Sequence, residues 1–379
     1  MSIAGHATIE GTTRYRERLQ QETIAANHFR LEQNLWLSSL GIGTYLGKPD
    51  ADTDARYVEA VARAVTLGAN VIDTAANYRF QRSERSIGAA LSQLIEGDNA
   101  TTARDEIVVC TKGGYIPFDS DPPNGQEGVR RYIAKTFVET GVADFADIAA
   151  GSHCMTPKYL AHQIEQSLRN LQLSTVDVYY IHNPETQLGV VSRAEFETRL
   201  RAAFEQLERS VADGKIKNYG VATWNGFRVA PDNRSYHSLE RMLELAREAA
   251  GGDSHHFRFV QLPFNLAMPE ALTFANQTFQ GVQVSLLEAA RALEVTVVAS
   301  ASILQGKVAR DLSPDIREPL GSLASDALTA IQFVRSTPGI TTALVGMSRR
   351  VHVEENLQLA RIEPARPDQY QQLFSTGGE

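Results

Sequence analysis

Cysteine is nearly absent from this chain. Cys110 and Cys154 are the only two in 379 residues. They are too few for a disulfide framework and point to a reducing compartment, with both thiols buried as small apolar groups. No apolar run approaches the ~20 residues of a membrane span. The opening "MSIAGHATIEGTTRYRERLQ" lacks the basic-then-apolar order of a signal peptide. A soluble, cytoplasmic protein with no membrane partner is expected. Positive charge is in deficit: 37 Lys and Arg against 45 Asp and Glu leave a net charge of −8. The global field therefore gives no support to a nucleic-acid partner, and a phosphate-bearing ligand would need a local basic cluster. A G-x-G-x-x-G turn is also missing, which counts against a doubly wound open sheet. Clustered His and carboxylate ligands are missing too, and no metal is expected. "SDPPNG" is acidic but lacks the further ligands of a calcium loop.

What is present is an alternation. Short, near-continuously apolar runs occur at 40–45, 70–75, 106–114, 176–183, 215–223, 256–265, 295–302 and 341–347. Such runs fit parallel strands covered on both faces. Amphipathic stretches separate them. In 156–173, Leu160, Ile164, Leu168 and Leu171 recur at helical spacing behind Thr156 as a cap and Pro157 in the first turn. Eight strand–helix units predict an α/β protein of the (β/α)8 TIM-barrel class. Three segments exceed that plan. Residues 1–28 form an extension with a helix expected around 14–28, and 29–39 read as a hairpin closing the barrel bottom. Residues 115–155 form a long insertion after the third strand, expected to hold a helix near 128–140 and to serve as a lid or pocket wall. The barrel proper is expected over 29–379.

In such barrels the chemistry lies at the C-terminal strand ends. Three consecutive strands end on ionisable groups: Asp73, Lys112 and His182. Tyr78 follows the first of them by a few loop residues. Each alone has an ordinary explanation, as a helix cap, a solvated lysine or a core imidazole. Together they interlock. Asp73 against Lys112 removes the difficulty of burying either charge alone. An ammonium beside a tyrosine favours phenolate, so the Tyr78 pKa is expected to fall from ~10 toward neutral. Such a tyrosine can protonate a carbonyl oxygen, with His182 as a neutral donor orienting it. The constellation suits carbonyl reduction by hydride.

With these residues assembled, the sequence resembles the aldo-keto reductases. The resemblance is carried in order by "LGIGTY", "NVIDTAANY…SERSIG", "VVCTKGG", "SLRNLQLSTVDVYYIHNP", "ADGKIKNYGVAT", "VQLPFN", "LQGKV" and "ALVGMSRRVHVEENL". It implies a catalytic tetrad of Asp73, Tyr78, Lys112 and His182. It also implies an extended nicotinamide cofactor, NADP(H) rather than NAD(H). Gly43 and Thr44 would border the nicotinamide, and Gln261 and Thr223 would hold its carboxamide. Ser300 stands where the family often has a stacking aromatic. Leu304, Gln305 and Gly306 would approach the pyrophosphate. Gly346, Ser348, Arg349, Arg350, His352, Glu355 and Asn356 would surround the adenosine end. "GMSRR" opening the last helix agrees, since free backbone N–H groups and two arginines suit a phosphate.

The sequence also departs from the family. Ala222 and Thr223 replace the usual Ser-Asn, Ser300 and Ser302 stand in the seventh-strand motif, and His352 replaces glutamine or arginine. Arg79 follows Tyr78 where glycine is usual. Tyr45, Arg79 and Tyr115 are candidate substrate contacts. Arg79 and Arg82 either recognise an acidic or phosphorylated substrate or are solvated loop charges. Expected function is an NAD(P)(H)-dependent oxidoreductase acting on an aldehyde, ketone or sugar. The alternatives are a regulatory subunit resembling the potassium-channel β subunits and a metal-assisted barrel hydrolase. Substrate, direction and oligomeric state are left open by the sequence.

Overall fold

The computed structural model describes residues 2–374 apart from Glu22, Asn99 and Ser120. Parts of the expected extension, insertion and C-terminus (Met1, Glu22, Ser120 and 375–379) thus lie outside the described residues. All eight apolar runs are parallel strands: β1 (Leu40–Gly43), β2 (Val71–Asp73), β3 (Val108–Gly113), β4 (Val176–His182), β5 (Ile216–Ala222), β6 (Phe257–Pro263), β7 (Thr296–Ser300) and β8 (Ile340–Gly346). They close in the order β7-β8-β1-β2-β3-β4-β5-β6. The chain is a (β/α)8 barrel. Its helices are α1 (Ala51–Thr66), α2 (Arg82–Glu96), α3 (Pro157–Leu171), α4 (Arg193–Ala212), α5 (Leu239–Ala250), α6 (Leu286–Ala292), α7 (Asp326–Ser336) and α8 (Arg350–Asn356). Among the described residues, no helix is long and apolar enough to cross a membrane.

Strand periodicity explains how the barrel carries a site. Alternate residues point inward, and Val71, Val108, Cys110, Val178, Tyr180, Phe259, Val298 and Leu344 fill the interior. Two residues further along the same columns come Asp73, Lys112, His182 and Gln261. The alternation that packs the barrel therefore delivers four polar side chains to the inside of its C-terminal mouth. Both cysteines are buried and unpaired.

The opposite end is closed by the hairpin of Phe29–Glu32 with Leu35–Ser38. Its turn puts Gln33 and Asn34 at φ 50° and 57°, the left-handed pair of a type I′ turn. The extension packs on its own barrel. Ala7 N–H donates to Asp177 Oδ1 (2.7 Å), and Arg104 pairs with the same carboxylate at 2.8 Å. The extra helix is Ile9–Gln20, earlier than expected, because Thr8 caps it by accepting from the N–H of Gly11 (3.0 Å). Arg14 and Arg18 of that helix hold Glu106 at 2.9 and 2.7 Å. A small hairpin, Gln277–Phe279 with Val282–Val284, was not legible in the sequence; its strands are three residues each and largely exposed.

The insertion holds the helix Gly125–Ile133, followed by a π turn over Ala134–Val138. It packs a core of its own from Ile116, Ile133, Phe137, Ile148 and Cys154 against Tyr159 of α3. Its two ends are stitched together by Ile116 N–H to the Ser152 carbonyl and Cys154 N–H to the Gly114 carbonyl, both 2.8 Å.

Candidate active site

The buried centre is an ion pair with every oxygen occupied. Lys112 Nζ lies 2.6 Å from Asp73 Oδ2 and donates to the Thr74 carbonyl at 2.8 Å. Gln261 Nε2 donates to Asp73 Oδ1 at 2.7 Å. Thr44 Oγ1 donates to the Asp73 carbonyl and accepts from Ser83 Oγ. Burial alone would push the Lys112 ammonium down, but Asp73 and Tyr78 together hold it above its ordinary value.

Tyr78 lies over this pair, with Lys112 Nζ 5.1 Å from its ring centre. The Tyr45 and His182 rings meet it edge-on at 5.0 and 5.8 Å. The expected fall of the Tyr78 pKa is corrected: burial raises it, Lys112 only partly offsets that, and Asp73 adds to the rise. The lysine charge is already engaged by Asp73, and the phenol is half-buried in the cavity wall. Tyr78 is therefore protonated at neutral pH. His182 is driven well down by burial and by Lys112, so its imidazole is neutral, and its Nδ1 has no partner among the described residues.

A cavity of about 630 Å³ runs across this mouth. Asp73, Tyr78 and His182 line it together with Gly43, Thr44, Gln261, Ser300, Leu304, Gln305, Gly306, Gly346, Ser348 and His352. It forms a continuous trough from the tetrad to the start of α8. A Cβ on Gly43 would come no nearer than 3.8 Å to its surroundings and one on Gly306 meets nothing, so these backbones face open space. These features fit an extended dinucleotide. Four expected contacts fall outside the cavity: Arg349, Arg350, Glu355 and Asn356. Arg350 is held by Glu354 at 2.9 Å, with Glu59 at 3.6 Å. Glu355 accepts from Ser325 Oγ. Arg349 is exposed.

Thr223 lines the cavity, but its hydroxyl is committed. It donates to Glu185 Oε1 (2.7 Å) and accepts from the Gly226 N–H (2.8 Å). Its proton is thus spent on Glu185, which leaves the oxygen's remaining lone pair to face the cavity as an acceptor. Glu185, missed in the sequence, organises the whole loop after β5. Its Oε1 also accepts from the N–H groups of Trp224 and Asn225. Despite burial, these hydrogen bonds and the nearby His237 hold its carboxyl down to about 2.

Of the substrate candidates, Tyr45 and Tyr115 line the cavity, joined by Asn77, Asn183 and Trp224. Arg79 does not. Its side chain is only 2% exposed and is paired with Asp54 of α1 at 2.6 Å. Arg82 takes the other oxygen of Asp54, also at 2.6 Å. Both readings of these arginines are corrected: they face neither substrate nor solvent alone, but a shared carboxylate. The insertion, expected as a lid or pocket wall, contributes to the wall through one residue. Tyr115 is the single insertion residue among those lining the cavity; the remainder packs beside α3.

The insertion nevertheless reaches the site from behind. His153 Nε2 is 2.8 Å from the His182 carbonyl, and its Nδ1 is 2.9 Å from Gln187 Nε2. Gln187 Oε1 accepts from Arg199 at 2.8 Å. Because arginine can only donate, this fixes every polarity in the series. Gln187 donates to Nδ1, and His153 donates through Nε2–H to the His182 carbonyl. Burial holds His153 down to about 4, so it stays neutral. Tyr115 stands between the two imidazoles, 5.2 and 5.1 Å from them, edge-on to both.

Among the described residues, no group of three or more His, Cys, Asp or Glu side chains is placed to hold a metal ion. Against known proteins, the model of the "Aldo/keto reductase family" matches residues 39–307. The NADH-specific methylglyoxal reductase of Escherichia coli is 25% identical over 194 residues, covering 50% of this chain and 49% of that protein. The D-threo-aldose 1-dehydrogenase of a Pseudomonas species is 27% identical over 158 residues, 41% of this chain and 40% of that one. The chain thus spans about half the length, or less, of these curated relatives. An aldo/keto reductase from Klebsiella pneumoniae, solved with NADP and acetate, superposes with a TM-score of 0.60 at 20% identity, covering 93% of this chain and 95% of that one. The holo form of a Bacillus halodurans aldo-keto reductase gives 0.62 at 18% identity, covering 92% and 95%.

Proposed function

The chain belongs to the aldo/keto reductase family, and on that premise we propose that it is an NAD(P)(H)-dependent oxidoreductase interconverting a carbonyl and an alcohol. The observation that carries this is the buried Lys112–Asp73–Gln261 network beside a protonated Tyr78 and a neutral His182, all at one end of an elongated cavity. A nicotinamide dinucleotide held in this cavity would supply the hydride. Tyr78 gives its phenolic proton to the carbonyl oxygen, and the Lys112 ammonium stabilises the phenolate left behind. His182 orients that oxygen as a neutral donor. Gly43, Thr44 and Gln261 would hold the nicotinamide end. Leu304–Gly306, Gly346, Ser348 and His352 would hold the remainder.

NADP(H) is the proposed dinucleotide. Exposed Arg349 and the hydroxyl of Ser348 offer a phosphate its contacts, although Arg350 is engaged by Glu354. The proposed substrate is a neutral, ring-bearing or apolar carbonyl. Its end of the cavity presents Tyr45, Tyr115, Trp224, Asn77 and Asn183, with no lysine or arginine among the described residues lining it. The test is Tyr78→Phe. NADPH-dependent reduction of benzaldehyde should be lost while the thermal shift on adding NADPH persists. Unchanged turnover in that variant overturns the reading.

A further inference from the structure

The chain leaves Tyr78 through three consecutive left-handed residues, none of them glycine: Arg79 (φ 47°), Phe80 (φ 56°) and Gln81 (φ 69°). Side chains with a Cβ resist this region, and a run of three persists only when the surroundings impose it. The run turns the chain directly into α2, which begins at Arg82. Between its ends, Gln81 donates to the Phe118 carbonyl and accepts from Asn170, both at 3.2 Å, and the ends themselves are gripped by the outer surface of α1. Asp54 Oδ1 takes Arg79 and Oδ2 takes Arg82, each at 2.6 Å, so one carboxylate holds both ends of the turn. Ser86 Oγ, on the first turns of α2, bonds the same Oδ1 and also accepts from Arg79. One helical turn along α1, the Tyr57 ring lies under the Arg79 guanidinium at 4.7 Å. The Tyr57 hydroxyl donates to the Leu46 carbonyl at 2.7 Å. It thereby fixes the loop that carries Tyr45, whose ring meets Tyr78 edge-on.

We infer that Asp54, acting through Arg79, is the positioning residue for Tyr78: a partly buried ion-pair latch outside the cavity that holds the strained turn and so sets where the phenol points. This rests on the reading of Tyr78 as the proton donor. Neither Asp54 nor Arg79 touches the cavity, so their loss acts on the orientation of the donor rather than on binding. A misplacement of the reacting group by about 1 Å lowers rate roughly a hundredfold.

The experiment compares Asp54→Asn, Arg79→Gly, the double variant and Tyr78→Phe, with benzaldehyde and NADPH as probes. Asp54→Asn strands a buried guanidinium and frees the turn; kcat should fall about tenfold or more while KM for NADPH stays within about twofold. Arg79→Gly removes both the stranded cation and the steric resistance to a positive φ. The double variant should therefore recover kcat to within about threefold of wild type. That rescue is what a general loss of packing would not produce, and it keeps the idea testable if Asp54→Asn alone folds poorly. Wild-type kcat in Asp54→Asn, or a double variant no faster than Asp54→Asn, overturns the latch. Activity surviving in Tyr78→Phe overturns the proton-donor reading itself, and the latch with it. Loss in Tyr78→Phe beside full activity in Asp54→Asn refutes the latch alone.

Discussion

Replacing His153 by leucine tests the support behind His182, and its magnitude follows from the protonation of one buried ring. His153 is fully buried and held down to about 4 from 6.5. Above pH 6.5 it is neutral in both folded and unfolded chains. As pH falls, the unfolded chain takes up the proton first, so wild-type stability drops by about 1.4 kcal/mol per pH unit until the folded ring also titrates. At pH 5 the accumulated loss is about 2 kcal/mol. Leucine carries no such proton. It instead leaves the His182 carbonyl and Gln187 Nε2 each short of a partner, a deficit of about 1–3 kcal/mol that is independent of pH. The variant should therefore be less stable than wild type at pH 7, and the gap should close by about 2 kcal/mol at pH 5. His28, buried at the barrel bottom and held down to about 3, contributes equally to both proteins and cancels. Urea unfolding at several pH values measures the difference directly. A gap that stays constant between pH 7 and pH 5 would refute the assignment of His153 as a neutral, buried donor.

Two further outcomes follow from the same electrostatics. Because burial keeps Tyr78 protonated, carbonyl reduction should hold its rate from neutral pH to about pH 9, while alcohol oxidation, which needs phenolate, should climb throughout; a reductive rate already falling near pH 7 would contradict this. Lys112→Met leaves Asp73 with Gln261 as its remaining side-chain donor. It should lower stability by about 3–5 kcal/mol and steepen the alkaline dependence of oxidation, as read by denaturant melts and pH–rate profiles.

The strands and the tetrad were legible because one physical rule serves both. Inward-facing residues alternate, so an apolar column that ends in Asp73, Lys112 or His182 announces a polar mouth above a packed interior. Arg79 was misread for the opposite reason. A basic residue in a loop looks solvated in sequence, and its partner Asp54 lies 25 positions away on the outer face of a helix, where no periodicity marks it. Glu185 and His153 escaped in the same way: each works through backbone N–H or carbonyl groups, which carry no residue-type signature. The insertion read as a lid or pocket wall because long loops leaving a catalytic face are usually functional. Its own apolar residues instead found each other and α3.

This contrast bears on how the site is held. Asp73, His182 and Gln261 reach the cavity from strand ends, which the barrel fixes, whereas Tyr78, Tyr45 and Tyr115 reach it from the loops that follow strands. The turns between them are not relaxed: Arg79–Gln81 follow Tyr78 and Asn183 (φ 46°) follows His182, all left-handed without glycine. Each such turn is met by a polar lock from outside the barrel wall, partly exposed Asp54 of α1 for the first and buried His153 of the insertion for the second. Strain of this kind persists only where something over-determines it. Arg79–Gln81 and the insertion, both expected to face substrate, are therefore the features that orient Tyr78 and the backbone of His182.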